Sequence, residues 1–128
     1  MTSPGESRAD RHRRAERQGR AAETLAAWWL RAKGYRIAAR RFRTPQGEID
    51  LVAVRGNTLA FIEVKARRDG AEAETALGPR QRRRIADAAA AFLARRPKLA
   101  AHDIRFDAVF ITPGRLPRHV PDAWRPDF

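Results

Sequence analysis

The sequence predicts a mixed α/β domain with one sheet flanked by helices, in the order helix, three-stranded meander, helix, strand. Two segments carry apolar residues at helical spacing, and runs rich in β-branched and aromatic residues lie between and after them. The length of 128 residues suits one domain and is too short for two.

The first helix is predicted over 19–33, where apolar residues recur at helical spacing and Gly34 provides a C-terminal stop. Residues 1–17 are polar, rich in arginine and without periodicity, so we expect a flexible basic arm there. The domain itself is then expected to span 18–112.

Turn signals at 44–47 (TPQG) and at Gly56-Asn57 separate the three strands of the meander. Pro79 suits the first turn of the second helix, which Pro97 ends. A right-handed crossover through this helix implies that the last two strands pair in parallel. The strands are expected at 35–42, 48–54, 58–66 and 103–112, the second helix at 79–96, and an irregular Pro-rich tail at 113–128, packed on the domain through Trp124 or Phe128.

The composition excludes several classes of protein and site. The chain has no cysteine, so disulfides, thiolate zinc sites and cysteine nucleophiles are excluded, and we expect a cytoplasmic location. No apolar run approaches the roughly 20 residues that span a bilayer. The basic N-terminus lacks the apolar segment of a secretory signal.

The formal net charge of +12 indicates an anionic partner. Basic surfaces attract phosphate backbones through Coulomb forces and counterion release, and they also attract anionic membranes. The abundance of Ala and Arg indicates a GC-rich coding bias as well, but such a bias exchanges Lys for Arg and need not create a surplus of charge. We therefore expect a nucleic-acid partner, DNA before RNA, and no membrane partner.

The turn at Gly56-Asn57 predicts which residues of the hairpin face each other. Counted outward from a two-residue turn, Asp50 lies opposite Glu63 and Glu48 lies opposite Lys65, all on one face. A four-residue loop keeps this register. A three-residue loop shifts it and sends the two acids to opposite faces.

Two facing carboxylates repel unless a positive charge lies between them. A hard cation such as Mg²⁺ or Mn²⁺ prefers oxygen ligands, polarises a phosphodiester and activates a bound water. Lys65 points to the same side as Glu63 and could orient the attacking water. The alternative is a solvated sheet face with an ordinary ion pair between Lys65 and Glu48. The apolar residues around Asp50 and Glu63 favour the metal site.

The segments 47–53 (GEIDLVA) and 61–67 (FIEVKAR) together resemble the PD-(D/E)xK phosphodiesterase motif, with Ile49 in place of the proline. From about Gly19 to Trp124, including the segment RFDAVF, the chain resembles the YraN-like family of small bacterial proteins. That family is similar to archaeal Holliday-junction resolvases and is predicted to adopt the restriction-endonuclease-like fold. The resemblance implies a Mg²⁺-dependent endonuclease acting on branched or structured DNA, and a two-fold dimer would suit symmetric cleavage of a junction.

By this resemblance, Asp50 and Glu63 match the metal-binding acids, and the main-chain carbonyl of Val64 is a further ligand. Lys65 matches the catalytic lysine, and Glu23 matches the acid on the first helix of the resolvase-like group. From the residues alone, Glu23 could equally be an exposed helix glutamate.

Gln81 lies in the first turn of the second helix, where it could line the site or satisfy a backbone group. Arginine side chains can grip phosphates with two hydrogen bonds, although each could instead be a solvated surface charge. The three histidines lack ligand spacing and are expected to be incidental. The candidate nucleic-acid contacts are Arg40, Arg41, Arg43, Arg67, Arg68, Arg80, Arg82, Arg83 and Arg84.

Two other functions stay open at this point. The domain could bind DNA or RNA with the same fold and without cutting. It could also be a basic RNA- or ribosome-associated protein whose acids have only structural roles.

Overall fold

The structure is a computed structural model that describes residues 7–67 and 78–126, without the side chains of residues 12 and 14–18. Arg68, Phe128, residues 1–6 of the expected arm and most of the loop before the second helix lie outside these ranges. The main elements are α1 (Arg8–Ala32), β1 (Arg36–Thr44), β2 (Gly47–Arg55), β3 (Thr58–Ala66), α2 (Pro79–Arg95), β4 (Asp103–Ile111) and β5 (Arg118–Trp124).

The strands form one mixed sheet in the order β1-β2-β3-β4-β5. Neighbouring strands are antiparallel except β3 and β4, which pair in parallel. Helix α2 connects those two strands, so the parallel pairing predicted from the crossover is confirmed. The mixed sheet with flanking helices is confirmed as well.

Each face of the sheet carries its own apolar cluster. On the α2 side, the ring of Phe92 meets Phe42 and Phe61 edge-on, and Phe61 stacks on Phe106. On the α1 side, Leu30 and its neighbours cover the other face. Each fully buried side chain of this size contributes about 1.5–3 kcal/mol. The two clusters therefore hold the helices against the sheet.

Helix α1 begins much earlier than the apolar pattern predicts. Asp10 N–H donates to Ser7 Oγ over 3.0 Å and Ser7 N–H donates to Asp10 Oδ2 over 3.3 Å, a reciprocal cap. The helix thus covers 8–17, where the sequence predicts a flexible arm, and that prediction is wrong there. Polar residues carry no apolar period, so the cap was the one available signal of this start.

The C-terminal segment contains a strand rather than an irregular tail. β5 pairs antiparallel with β4, and the ring centroids of Phe106 and Trp124 lie 4.5 Å apart. The predicted packing through Trp124 is confirmed, whereas the predicted irregular backbone is wrong for 118–124. Pro117 and Pro121 hide the strand in the sequence because proline is uncommon inside strands.

Strand β5 supplies hydrogen-bond donors to the buried carboxylate of Asp107 on β4. Its side chain is fully buried and accepts hydrogen bonds from Arg105, from His119 Nε2 at 2.8 Å and from Asp122 N–H at 2.9 Å. Arg105 also donates to Tyr35 Oη over 2.6 Å. Although burial raises it, these hydrogen bonds hold the pKa of Asp107 below its ordinary value. The expectation that the histidines are incidental is therefore wrong for His119.

Asp107→Asn should lower the free energy of unfolding by about 3–5 kcal/mol, because it leaves Arg105 without its buried partner. Since the folded pKa of Asp107 is depressed, its contribution is present above about pH 4 and is lost as the pH falls through the lower folded value. Urea denaturation between pH 3 and 7 measures both effects. The exposed Asp103→Asn should change stability little. Equal losses in the two variants would contradict a special role for Asp107.

Helix α2 lies very close to strand β2 at Gly47. A Cβ atom on Gly47 would lie 2.1 Å from the main-chain oxygen of Arg84. Only glycine therefore allows the first turns of α2 to rest on the start of β2, where the segment GEID begins.

Gly47→Ala should destabilise the protein by about 1–3 kcal/mol, because the added methyl group forces α2 away from β2. Gly19→Ala is the matched control, since its Cβ would meet no atom within 4 Å and alanine favours a helix interior. Thermal unfolding compares the two variants with the wild type. A Gly47→Ala protein as stable as Gly19→Ala would refute the close contact.

Candidate functional site

The candidate site lies where strands β2 and β3 separate. Their register runs from Arg55 opposite Thr58 to Leu51 opposite Ile62, as the two-residue turn predicts. The ladder ends there, so the predicted pairs Asp50–Glu63 and Glu48–Lys65 are not part of it. Asp50 Oδ2 instead accepts a hydrogen bond from Val64 N–H over 2.8 Å. The Asp50 side chain thus binds a main-chain N–H of β3 that lies beyond the last residue pair between β2 and β3.

Strand β2 loses its regular alternation at Asp50. Ile49 and Val52 both belong to the α2-side cluster, whereas Leu51 belongs to the α1-side cluster. Opposite Asp50 on β1, Arg41 has a left-handed backbone with φ 52°. Because non-glycine residues rarely adopt this conformation, both strands are distorted at the same level.

Asp50 and Glu63 line one cleft of about 260 Å³, together with Glu48, Gln81, Arg84 and Ile85. The two acids therefore lie on the same side of the sheet. Burial and the negative charge of Glu63 raise the pKa of Asp50 to about 8, against the opposing hydrogen bond from Val64 N–H. Burial and the neighbouring charge therefore favour the protonated form of Asp50 at neutral pH.

Lys65 and Gln81 both contact Glu63. Lys65 Nζ lies 3.0 Å from Glu63 Oε1, and Gln81 Nε2 donates to the same oxygen over 3.0 Å. Glu48, the alternative partner of Lys65, instead lies 3.4 Å from Arg43. The alternative prediction of an ordinary Lys65–Glu48 ion pair is therefore wrong. Gln81 lines the site.

Glu23 on α1 does not line the cleft, but it is close enough to Asp50 for its charge to raise the pKa of Asp50. Its side chain is buried, and Arg41 Nε donates to Glu23 Oε1 over 2.7 Å. This hydrogen bond raises the pKa of Arg41, and the charges of Glu48 and Asp50 raise it further. Glu23 is thus buried and is not an exposed helix glutamate. Arg41 donates to this acid, so its guanidinium does not lie open for a phosphate contact.

The other candidate arginines lie in different surroundings. Arg40 donates to Thr24 Oγ1 over 2.9 Å, and Arg67 donates to the carbonyl of Ala66. Arg82 lies over the ring of Trp124, away from the cleft. Three exposed arginines open α2, namely Arg80, Arg83 and Arg84, and Arg84 lines the cleft.

Within 7–67 and 78–126, no cluster of three or more His, Cys, Asp or Glu side chains is arranged to hold a metal. The candidate ligands are the carboxylates of Asp50 and Glu63 and the main-chain carbonyl of Val64. This donor set contains oxygen alone, and Mg²⁺ often binds through one or two carboxylates while keeping several waters. The residues present therefore fit a hard divalent cation better than a soft one.

Comparison with known sequences places the whole candidate site in one family. The model of Uncharacterised protein family UPF0102 matches residues 22–111. The chain belongs to UPF0102. The matched region contains every residue that lines the site or contacts it, including Glu23, Arg41, Asp50, Glu63, Lys65 and Gln81. The YraN-like resemblance is confirmed at the level of the family.

Relatives from several bacteria align over most of the chain. UPF0102 protein amb4503 of Paramagnetospirillum magneticum is 54% identical, covering 99% of this chain and 100% of its own length. A UPF0102 protein of Parvibaculum lavamentivorans is 59% identical, covering 88% and 84% respectively. One from Rhodopseudomonas palustris strain BisB18 is 59% identical, covering 86% and 82%.

Neither long helix of the described ranges has an apolar stretch of the length needed to cross a membrane.

The raised pKa of Asp50 predicts an unusual dependence of stability on pH in metal-free buffer. The folded protein keeps a proton that an unfolded aspartate releases near pH 4, so stability should fall from about pH 4 to pH 8. The slope is about 1.4 kcal/mol per pH unit. Asp50→Asn should flatten this slope and be more stable than the wild type at pH 8. Urea titrations at each pH measure it.

Glu48→Gln is the matched control, because Glu48 lines the same cleft but pairs with Arg43 at the surface. It should keep the wild-type slope. Parallel stability curves for the wild type and Asp50→Asn would contradict the raised pKa of Asp50.

Proposed function

We propose that this UPF0102 protein is a Mg²⁺- or Mn²⁺-dependent endonuclease with a restriction-endonuclease-like fold, hydrolysing phosphodiester bonds of branched or structured DNA. One observation carries the proposal. Asp50 and Glu63 bring two carboxylates together in a cleft between apolar strands, where burial and the charge of Glu63 raise the pKa of Asp50 to about 8. The element order and the motifs GEID and FIEVK support the fold.

Asp50, Glu63 and the carbonyl of Val64 would hold the cation. When bound, it would polarise the phosphodiester and lower the pKa of an attacking water. Asp50 must first release its proton, so metal affinity should rise with pH. The hydrogen bond from Val64 N–H fixes the orientation of the Asp50 carboxylate.

Lys65 is the proposed catalytic lysine. Its side chain is 17% exposed, and its Nζ is held 3.0 Å from Glu63 Oε1. From this position an ammonium group can donate to a phosphate oxygen or orient the attacking water. Gln81 donates to the same Glu63 oxygen and acts as a positioning residue.

Glu23 supplies a further acid at the edge of the site. Its charge contributes to the raised pKa of Asp50, so the two carboxylates are electrostatically coupled. Arg41 forms an ion pair with Glu23 and offsets its negative charge near the other two acids. We assign Arg41 a positioning role rather than a phosphate contact.

The net charge of +12 supports a nucleic-acid substrate. Arg80, Arg83 and Arg84 lie at the positive end of the α2 dipole, beside the cleft. Phosphates bound there would lie next to the carboxylates. Affinity should therefore fall steeply with salt.

A non-cutting nucleic-acid-binding module is the second candidate. It is favoured by the absence of a three-ligand metal cluster in the described ranges. It is also favoured by Lys65, which already offsets the charge of Glu63. In that case the acids would stabilise the fold and a basic surface would bind DNA or RNA.

The test incubates the full chain with junction, flap, linear duplex and RNA substrates in Mg²⁺, in Mn²⁺ and in EDTA. We expect cleavage of junction or flap DNA that EDTA abolishes. Asp50→Ala and Lys65→Ala should reduce the rate at least about 100-fold with binding retained. Glu48→Gln, on the wall of the same cleft, should cut at nearly the wild-type rate.

A second measurement separates metal binding from cutting. Mg²⁺ should raise the melting temperature more at pH 8 than at pH 6 in the wild type, and not in Asp50→Asn. Metal stabilisation without cleavage of any substrate would overturn the nuclease proposal and leave the binding module. Binding of RNA alone, with no metal effect, would favour an RNA-associated protein whose acids are structural.

A further inference from the structure

Trp28 is the most exposed aromatic side chain whose environment the structure describes. It lies on α1 and is 63% exposed. Indole rings usually lose most of their surface to the core or to a partner. The apolar clusters of this protein do not include Trp28, so most of its ring surface is accessible to a ligand.

The surroundings of Trp28 are basic. Positions 20, 24, 28 and 31 share one face of α1 at helical spacing. Arg20 and Arg31 on this face are exposed, and the Arg31 guanidinium lies 5.5 Å from the centroid of the Trp28 ring. Arg40 is brought to the same face by its hydrogen bond to Thr24 Oγ1.

The contacts of Arg40 and Arg41 with α1 connect this basic aromatic face to Glu23, whose charge acts on Asp50. Arg40 and Arg41 are consecutive, yet both contact α1, because the left-handed backbone at Arg41 interrupts the alternation of β1. Their partners on α1, Thr24 and Glu23, are consecutive as well. Trp28 follows Glu23 by five residues, about 7.5 Å along the helix axis.

We propose that Trp28 is a stacking platform for an unpaired base of the nucleic acid, with Arg20, Arg31 and Arg40 binding the neighbouring phosphates. An aromatic ring among arginines is the arrangement that binds single strands, because every base has a face that can stack. The ligand class is thus DNA or RNA with unpaired nucleotides next to the scissile region. The inference rests on the proposed function for its ligand, but it requires neither metal nor cleavage.

Leu25 offers an internal comparison on the same helix. It is 45% exposed and lines a separate cleft of about 580 Å³ with Ile111 and Pro113. Protein contact through exposed apolar groups of α1 would therefore depend on Leu25 at least as much as on Trp28. Base stacking would depend on Trp28 alone.

The experiment measures binding of a fluorescently labelled single-stranded oligonucleotide and of its blunt duplex to the full chain in EDTA. Trp28→Ala should weaken single-strand binding about tenfold or more and duplex binding less than about threefold. Trp28→Phe should recover most of the affinity, and Leu25→Ala should bind like the wild type. Single-strand binding should also quench tryptophan fluorescence in the wild type more than in Trp28→Phe.

Equal effects of Trp28→Ala on both ligands, or none, would overturn the platform. A change from dimer to monomer by light scattering in Trp28→Ala and Leu25→Ala would overturn it in favour of self-association. If Trp28→Ala leaves single-strand affinity unchanged while the protein still cleaves junctions, this inference alone is refuted. Absence of binding to both ligands by the wild type would remove the nucleic-acid proposal with it.

Discussion

The candidate site is organised around the repulsion between Asp50 and Glu63. Strands β2 and β3 are otherwise apolar at this level, so neither carboxylate can be solvated as it would be on an open face. The surrounding residues place hydrogen-bond donors next to these carboxylates. Lys65 and Gln81 approach Glu63, Val64 N–H approaches Asp50, and the pKa of Asp50 is raised to about 8.

The distortion of the backbone follows from the same constraint. A regular ladder would send the side chains next to Asp50 to alternating faces and would leave Glu23 on α1 without a counter-charge. The left-handed turn of β1 at Arg41 instead directs a guanidinium to Glu23. Such a conformation costs about 1–3 kcal/mol and persists only where the surrounding structure enforces it. The apolar clusters on both faces supply that enforcement.

The sequence predicted best those features that depend on local patterns. The turn at Gly56-Asn57 set the register of the hairpin, and Pro79 marked the start of α2. Prediction failed where structure depends on distant partners: β5 is held by the buried Asp107, and Arg41 is directed by Glu23 on another element. The partner of Lys65 was also mispredicted, because counting along a regular ladder cannot foresee where the ladder ends.

The buried Asp107 and the half-buried Asp50 of the sheet differ in how their charges are compensated. Asp107 is neutralised by Arg105 and also bound by His119 and a backbone N–H, and its pKa is lowered. This fold can therefore satisfy a buried aspartate with its own side chains. Asp50, in contrast, accepts a hydrogen bond from one main-chain N–H and lies near a second carboxylate. The nearby Arg41 donates to Glu23 instead. Within the part of the chain that the structure describes, Asp50 thus has no cationic partner of the kind that Arg105 gives Asp107. This difference supports the proposal that the cleft holds a cation, as a metal-dependent phosphodiesterase would require.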